Sequence, residues 1–170
     1  MKKILITLLA SLSFTVQANQ CDAWLDTNQQ HVVNRAYELG VKTDMGWSLA
    51  AIAFKESSAG KFLVNEVTKD YGVFGINIKT ATRRTQKLLG GVSLTQEQID
   101  GLSRHLTVDF NDGAMFAILE LKFWIKVHGD DWKKVWSGYN GGYSGSQASL
   151  DYADDIISIM KKMKNLKCIV

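Results

Sequence analysis

Asp44-Met45-Gly46-Trp47-Ser48-Leu49-Ala50-Ala51-Ile52-Ala53-Phe54-Lys55-Glu56-Ser57-Ser58-Ala59-Gly60 is the stretch on which the reading of the chain turns. Met45, Leu49, Ile52, Ala53 and Glu56 stand at i, i+4, i+7, i+8 and i+11, the spacing of one face of an α-helix. Asp44 is a good N-cap, and the helix is expected to end before Gly60. Every member of that face except Glu56 is apolar. A carboxyl there looks into the interior or onto a cleft wall, where loss of water disfavours its charged form. Such a group stays protonated near neutral pH and can serve as a general acid. The competing reading is a glutamate in the last turn that curls out to solvent, and geometry by itself leaves that open.

Working outward, the hydrophobic period makes the rest of the chain mostly helical, with no internal repeat. A first helix is expected over residues 22–39, stopping at Gly40. From Lys61 to Ile78 the helical period fails. There Val64, Val67 and Tyr71-Gly72-Val73-Phe74-Gly75-Ile76 suggest extended chain with turns, in the form of a small hairpin. Residues 80–89 read as a basic helix closed by Gly90-Gly91. Thr95-Gln96-Glu97-Gln98 fits a capping box for a short helix to about Leu106. Asp109 can cap the strongest periodic segment, with Phe110, Ala114, Ala117, Ile118, Leu121, Trp124 and Ile125 on one stripe and Gly129 at its end. This is the expected central core helix. A short helix over 131–136 leads into a Gly/Ser-rich stretch, 137–149, and a last helix carries Tyr152, Ile156, Ile159, Met160 and Met163 on one face. The fold class expected is mainly α (α+β), helices around a cleft with a small irregular or β lobe.

The composition bounds the function. The chain has 170 residues, 46% hydrophobic and 22% charged, enough for one globular core. Met1-Lys2-Lys3, an apolar run from Ile4 to Phe14 and Val16-Gln17-Ala18 have the three parts of a secretory signal peptide. Residues 1–18 are therefore read as a leader and 19–170 as the mature domain. Removing Lys2 and Lys3 leaves 18 basic against 17 acidic residues. That balance gives no electrostatic reason to expect nucleic acid as a partner. The basic cluster Lys161-Lys162-Met163-Lys164 with Lys167 ends a helix, where cations suit the dipole, and reads as a solvated face. No later segment reaches the roughly 20 apolar residues needed to cross a bilayer. Cys21 follows Ala18-Asn19-Gln20 and lacks the small residue that precedes a lipoprotein cysteine, so a periplasmic or secreted protein without a lipid anchor is expected. In such an oxidising compartment Cys21 and Cys168 are expected to form a disulfide that joins the ends of the mature chain.

Several chemistries are excluded. There is no G-x-S-x-G elbow, Gly142-Tyr143-Ser144-Gly145 being a near miss, no phosphate-cradling glycine loop and no H-E-x-x-H. His31, His105 and His128 show no ligand spacing. Asp109, Asn111 and Asp112 before Gly113 lack the spacing and closing Glu of a calcium loop. No metal and no cofactor are expected.

Three segments, in order, carry a resemblance. Ala51-Ile52-Ala53-Phe54-Lys55-Glu56-Ser57-Ser58-Ala59-Gly60 resembles the catalytic helix end of the soluble lytic transglycosylases of the lysozyme-like superfamily. Tyr71-Gly72-Val73-Phe74-Gly75-Ile76-Asn77 resembles their Y-G-L-M-Q-I-N segment, and Gly138-Tyr139-Asn140-Gly141-Gly142 resembles A-Y-N-A-G. The similarity spans about Trp47 to Ile156. It implies a lysozyme-like fold and cleavage of peptidoglycan between N-acetylmuramic acid and N-acetylglucosamine, with a 1,6-anhydro product. Glu56 would be acid and then base, and Ser57 would help to orient it. Tyr71, Phe74, Ile76, Asn77, Tyr139, Asn140 and Tyr152 would bind substrate. Gly75 stands where the family has Gln and Phe74 where it has Met, so an amide that could read the saccharide is missing. Small members of this kind resemble the transglycosylases that open the wall for secretion, conjugation or pilus machines, which makes an envelope-spanning complex an implied partner. No second acid has a clear claim, although Asp70 lies near a motif. If Asp70 were a second carboxylate, hydrolysis by a muramidase would be the alternative. A non-catalytic glycan-binding scaffold is permitted by Gly75 and a mean hydropathy of −0.07, and opposed by the Glu56-Ser57 pair.

Overall fold

A computed structural model of the chain describes residues 20–169, so the leader read over 1–18 lies outside the described residues. After a 3-10 turn, Gln20–Ala23, helix α1 runs over Thr27–Val41 and α2 over Gly46–Ser57. Three two-residue strands follow, β1 (Val64–Asn65), β2 (Asp70–Tyr71) and β3 (Ile76–Asn77), in one antiparallel sheet of order β1-β2-β3. Tyr71 pairs with Val64 on one side and Ile76 on the other, and Asp70 with Asn65 and Asn77. Then come α3 (Ile78–Leu88), α4 (Gln96–Val108), α5 (Phe110–His128), α6 (Trp132–Gly141), a 3-10 turn at Gly142–Ser144 and α7 (Gln147–Asn165). The fold is mainly helical with a small sheet. No helix of the described residues is long and apolar enough to cross a membrane.

The caps follow the sequence signals where a side chain can do the capping. Thr95 accepts from the Gln98 N–H, and the Gln98 side chain accepts from the Thr95 N–H, the reciprocal bonds of a capping box. Asp109 accepts from the Asn111 and Asp112 N–H groups at the start of α5. The first two helices differ from expectation. Asp26 caps α1 through its own capping box with Gln29, so the helix starts five residues later than the period suggests, after the 3-10 turn. It also runs past Gly40, where a Cβ would stand 2.8 Å from the backbone of Gly46, so only a glycine lets the two segments pack this closely. Asp44 does not cap α2. A tight turn, in which the Met45 N–H donates to the Gly40 carbonyl, puts Asp44 at φ +57° and leaves Met45 at the cap position.

Helix α2 lies in the middle of the packing, against α1, α5 and α7. Met45, Leu49, Ile52 and Ala53 are buried on the expected face, and Ala50 and Ala51 are buried as well. On α5 the buried arc is Gly113, Ala114, Phe116, Ala117, Glu120, Leu121 and Trp124, while Phe110, Ile118 and Ile125 are half-buried. The arc is thus turned toward Phe116 and Glu120 relative to the stripe read from the sequence. On α7, Tyr152, Ile156 and Met163 are buried, and Lys162 and Lys164 lie over the rings of Trp24 and Trp47. A second core cluster, with Leu25, Val33, Ala50, Ala59 and Met163, surrounds the expected disulfide between Cys21 and Cys168, whose Cα atoms are 5.1 Å apart.

Helix α6 departs furthest from the sequence reading. It continues through Gly141, into the stretch that the glycines and serines mark as broken chain. Gly138 explains this: a Cβ there would meet the Trp124 ring at 2.4 Å, so the glycine serves close packing of α6 on α5 within a continuing helix. The motif Gly138-Tyr139-Asn140-Gly141 is accordingly helical.

Candidate active site

A cleft of about 730 Å³ opens between the sheet with α3 on one side and α5 with α6 on the other. Glu56, near the C-terminal end of α2, faces into it beside Asp70 and Gly75. Of the residues expected to bind substrate, Ile76, Asn77, Tyr139 and Asn140 line the cleft.

The surroundings of Glu56 are specific. Tyr152, buried on α7, donates from its hydroxyl to Glu56 Oε1 at 2.5 Å. The other carboxyl oxygen lies against the backbone of Gly75. A Cβ at that residue would stand 2.4 Å from Oε2, and the residue has φ +57°, where side chains are strained. Gly75, which stands where the resembled Y-G-L-M-Q-I-N segment has Gln, is the residue whose backbone walls the carboxyl. Burial pushes the Glu56 carboxyl up from its ordinary 4.5 to about 7; the Tyr152 hydrogen bond works against this, the negative charge of Asp70 adds to it and Lys55 opposes it. Burial also raises the phenols of Tyr152 and Tyr139 well above their ordinary value, so both remain protonated donors. Tyr139 donates to the Phe74 carbonyl at 2.8 Å, tying α6 to the segment that precedes Gly75.

Other expected site residues hold the cleft together from behind. Ser57 is fully buried, donates to the Ala53 carbonyl and accepts from the Gly60 N–H. It secures the end of α2, where Ser58 and Ala59 both take positive φ, and makes no hydrogen bond to Glu56. Phe74 is fully buried edge-on against Phe110, so it belongs to the core and not to the cleft wall. Tyr71 packs on the same core from β2. Tyr152 touches Glu56 and does not line the cleft. Asn77 caps α3 at the Lys79 N–H and donates to the Thr68 carbonyl and to Asp70 Oδ1, at 2.8 Å each. Thr68 donates to the other Asp70 oxygen at 2.5 Å, so Asp70 is fixed at the cleft rim by two neighbours.

Residues that the sequence reading did not assign to the site complete the walls. Phe116, Phe123, Trp124 and Tyr143 bring aromatic surface to the α5 side, with Trp124 and Tyr143 edge-on at 4.8 Å. Glu120 is 8% exposed and accepts from Arg84 Nε and Nη2 through Oε2 and from the Trp124 indole through Oε1. The signal for it was an acid on the buried arc of α5, four residues from both Phe116 and Trp124. Elsewhere, His105, Asp109 and Asp112 come within 4.8 Å of one another, although sequence spacing suggested no such group. His105 pairs with Asp112, and Asp109 is engaged in capping α5.

Comparison with known proteins adds one relative. The chain is 29% identical over 127 residues to an uncharacterized 20.7 kDa protein of the vs-regB intergenic region of Enterobacteria phage T4, a match spanning 74% of this chain and 66% of the phage protein. No protein-family model matches the chain, and no solved structure matches it.

Proposed function

We propose that the protein is a peptidoglycan lytic transglycosylase with a lysozyme-like arrangement of helices around its cleft, exported beyond the cytoplasmic membrane. The observation that carries this reading is the Glu56 carboxyl. It lines a cleft large enough for several sugar rings, with burial holding its pKa near 7 and no ion-pair partner among the described residues. Oε1 takes the Tyr152 hydrogen bond, so the proton sits on Oε2, beside Gly75. That oxygen protonates the glycosidic oxygen between muramic acid and glucosamine as the C1–O bond breaks. The resulting carboxylate then takes the proton of the muramic C6 hydroxyl, whose oxygen closes onto C1. The product is a 1,6-anhydro sugar and no water is consumed. Tyr143, exposed at the cleft, offers a flat apolar face to the CH face of a sugar, backed by the ring cluster of Phe123 and Trp124. The disulfide supports an extracytoplasmic site of action. The resemblance to small specialised transglycosylases supports local opening of the wall for an envelope-spanning machine.

A second reading has its own observation. Asp70 lines the same cleft and its charge acts on Glu56, so water activated on that side would make the protein a muramidase. Digestion of purified peptidoglycan by the mature protein and by Glu56→Gln, followed by mass spectrometry of the muropeptides before and after borohydride, separates the two. Anhydro ends that resist reduction and vanish in the variant are expected. Reducible ends would establish hydrolysis, and products independent of Glu56 would remove the catalytic assignment.

A further inference from the structure

The α3 wall of the cleft carries charge for which the proposed acid has no use. Thr80, Arg83, Arg84 and Lys87 stand at i, i+3, i+4 and i+7 on α3, one helical stripe, and all four line the cleft. On a helix that packed this stripe into a core, the same positions would be apolar. Here three of the four are cations. Arg84 is fixed in place: Nε and Nη2 donate to Glu120 Oε2 at 2.9 and 2.7 Å, and the guanidinium lies 4.1 Å over the Phe123 ring. Its Nη1 has no hydrogen-bond partner among the described residues. Arg83 and Lys87 are exposed and have no ion-pair partner among the described residues. Glu120 therefore answers one charge of the three. The charges that act on Glu56 are those of Asp70 and Lys55, so the stripe does not serve to tune the acid.

A bare glycan strand has little to offer such a wall. It presents hydroxyls, acetamides and a single lactyl carboxylate per disaccharide. Arg83 and Lys87 are about 6 Å apart along the helix axis, which suits two anionic groups on a short tether better than one. A stem peptide on the lactyl group supplies them, in its glutamyl α-carboxylate and its C-terminal carboxylate. Arginine held from behind by a carboxylate and from below by a ring is already ordered for such a contact. Resting on the reading of the cleft as glycan-cleaving, we infer that Arg83, Arg84 and Lys87 form a carboxylate-reading subsite that selects glycan still carrying its stem peptides over stripped glycan.

The test uses the mature protein carrying Glu56→Gln, which binds without cutting. It is titrated by calorimetry at low salt with two tetrasaccharides of alternating glucosamine and muramic acid. One bears stem tetrapeptides and the other only free lactyl carboxylates. The peptide-bearing sugar is expected to bind about tenfold more tightly, the scale that two exposed ion pairs supply. That ratio should fall toward one with Arg83→Gln/Lys87→Gln, or on raising the salt. The charge-keeping pair Arg83→Lys/Lys87→Arg should retain it, which separates charge from folding. Equal affinity for the two sugars, a preference that survives the double neutralisation, or tighter binding of the stripped sugar overturns the inference. Binding of neither sugar would overturn the glycan-cleaving reading with it. Glu56-dependent anhydro products without a peptide preference would remove this inference and leave that reading standing.

Discussion

Glu56 on α2 and Glu120 on α5 line one cleft, and their partners differ in kind. Glu120 receives three hydrogen bonds, two from a guanidinium and one from an indole, and its charge is matched. Glu56 receives one, from a neutral phenol, and its other oxygen meets a glycine backbone. The first carboxylate is a fixed strut that orders Arg84 and Trp124. Burial pushes the second toward its protonated form, and under the proposed mechanism that proton is the one transferred. What distinguishes them is the cation that one wall provides and the other withholds, since both side chains are largely out of solvent.

Four substitutions would break or sharpen that contrast. The largest effect on stability is expected at the strut: Glu120→Ala leaves Arg84 largely buried without its counter-charge and should cost about 4 kcal/mol in urea unfolding. A loss below about 1 kcal/mol would mean that water replaces the carboxylate easily. Glu56→Gln should act in the opposite direction and only at higher pH. Because the folded protein holds the Glu56 proton more tightly than the unfolded chain does, the stability from that proton is complete below 4.5 and lost as pH rises through about 7. Variant and parent should match near pH 4, and the variant should gain up to about 3 kcal/mol by pH 8.5. A gain that does not change with pH would show that burial is not what holds the proton.

Gly75→Ala places a methyl group 2.4 Å from Oε2, on a backbone with positive φ. Under the proposed mechanism, displacing the acid by about 1 Å should lower turnover roughly a hundredfold, with about 1–2 kcal/mol lost in stability. Unchanged turnover would mean that the position of the carboxyl is not set by this wall. The smallest effect is expected for Tyr152→Phe. The phenol favours the charged form of Glu56, so its removal should move the alkaline limb of the pH–rate profile above 7 by a fraction of a unit. A downward move would assign the hydrogen bond to the protonated acid.

The contrast also marks what the sequence could disclose. The face of α2 was legible because burial and helical period act within one element, and the caps at Thr95 and Asp109 because capping is local. Glu120 was not, since its partner Arg84 lies 36 residues away and no local pattern records a pairing across the cleft. The basic stripe of α3 was visible as a charged helix, but its facing the cleft depends on where α5 and α6 stand. Ser57 was assigned to the site through its neighbour Glu56. Yet adjacent helical residues point in different directions, and Ser57 turns inward to close the helix end. Gly138 misled because a glycine that permits ring packing looks, in sequence, like one that ends a helix.

The bond between Cys21 and Cys168 closes a loop of 147 residues, so everything from the first turn to the end of α7 lies on one covalent ring. Gly90 and Gly91, at the exposed bend between α3 and α4, have open space around them and flank exposed Leu88, Leu89 and Val92. A protease that cuts there opens the ring without dividing the molecule. The nicked protein still runs as one species until a reductant is added, and its two halves, which carry Glu56 on one side and Glu120 on the other, remain tethered and free to close the cleft again.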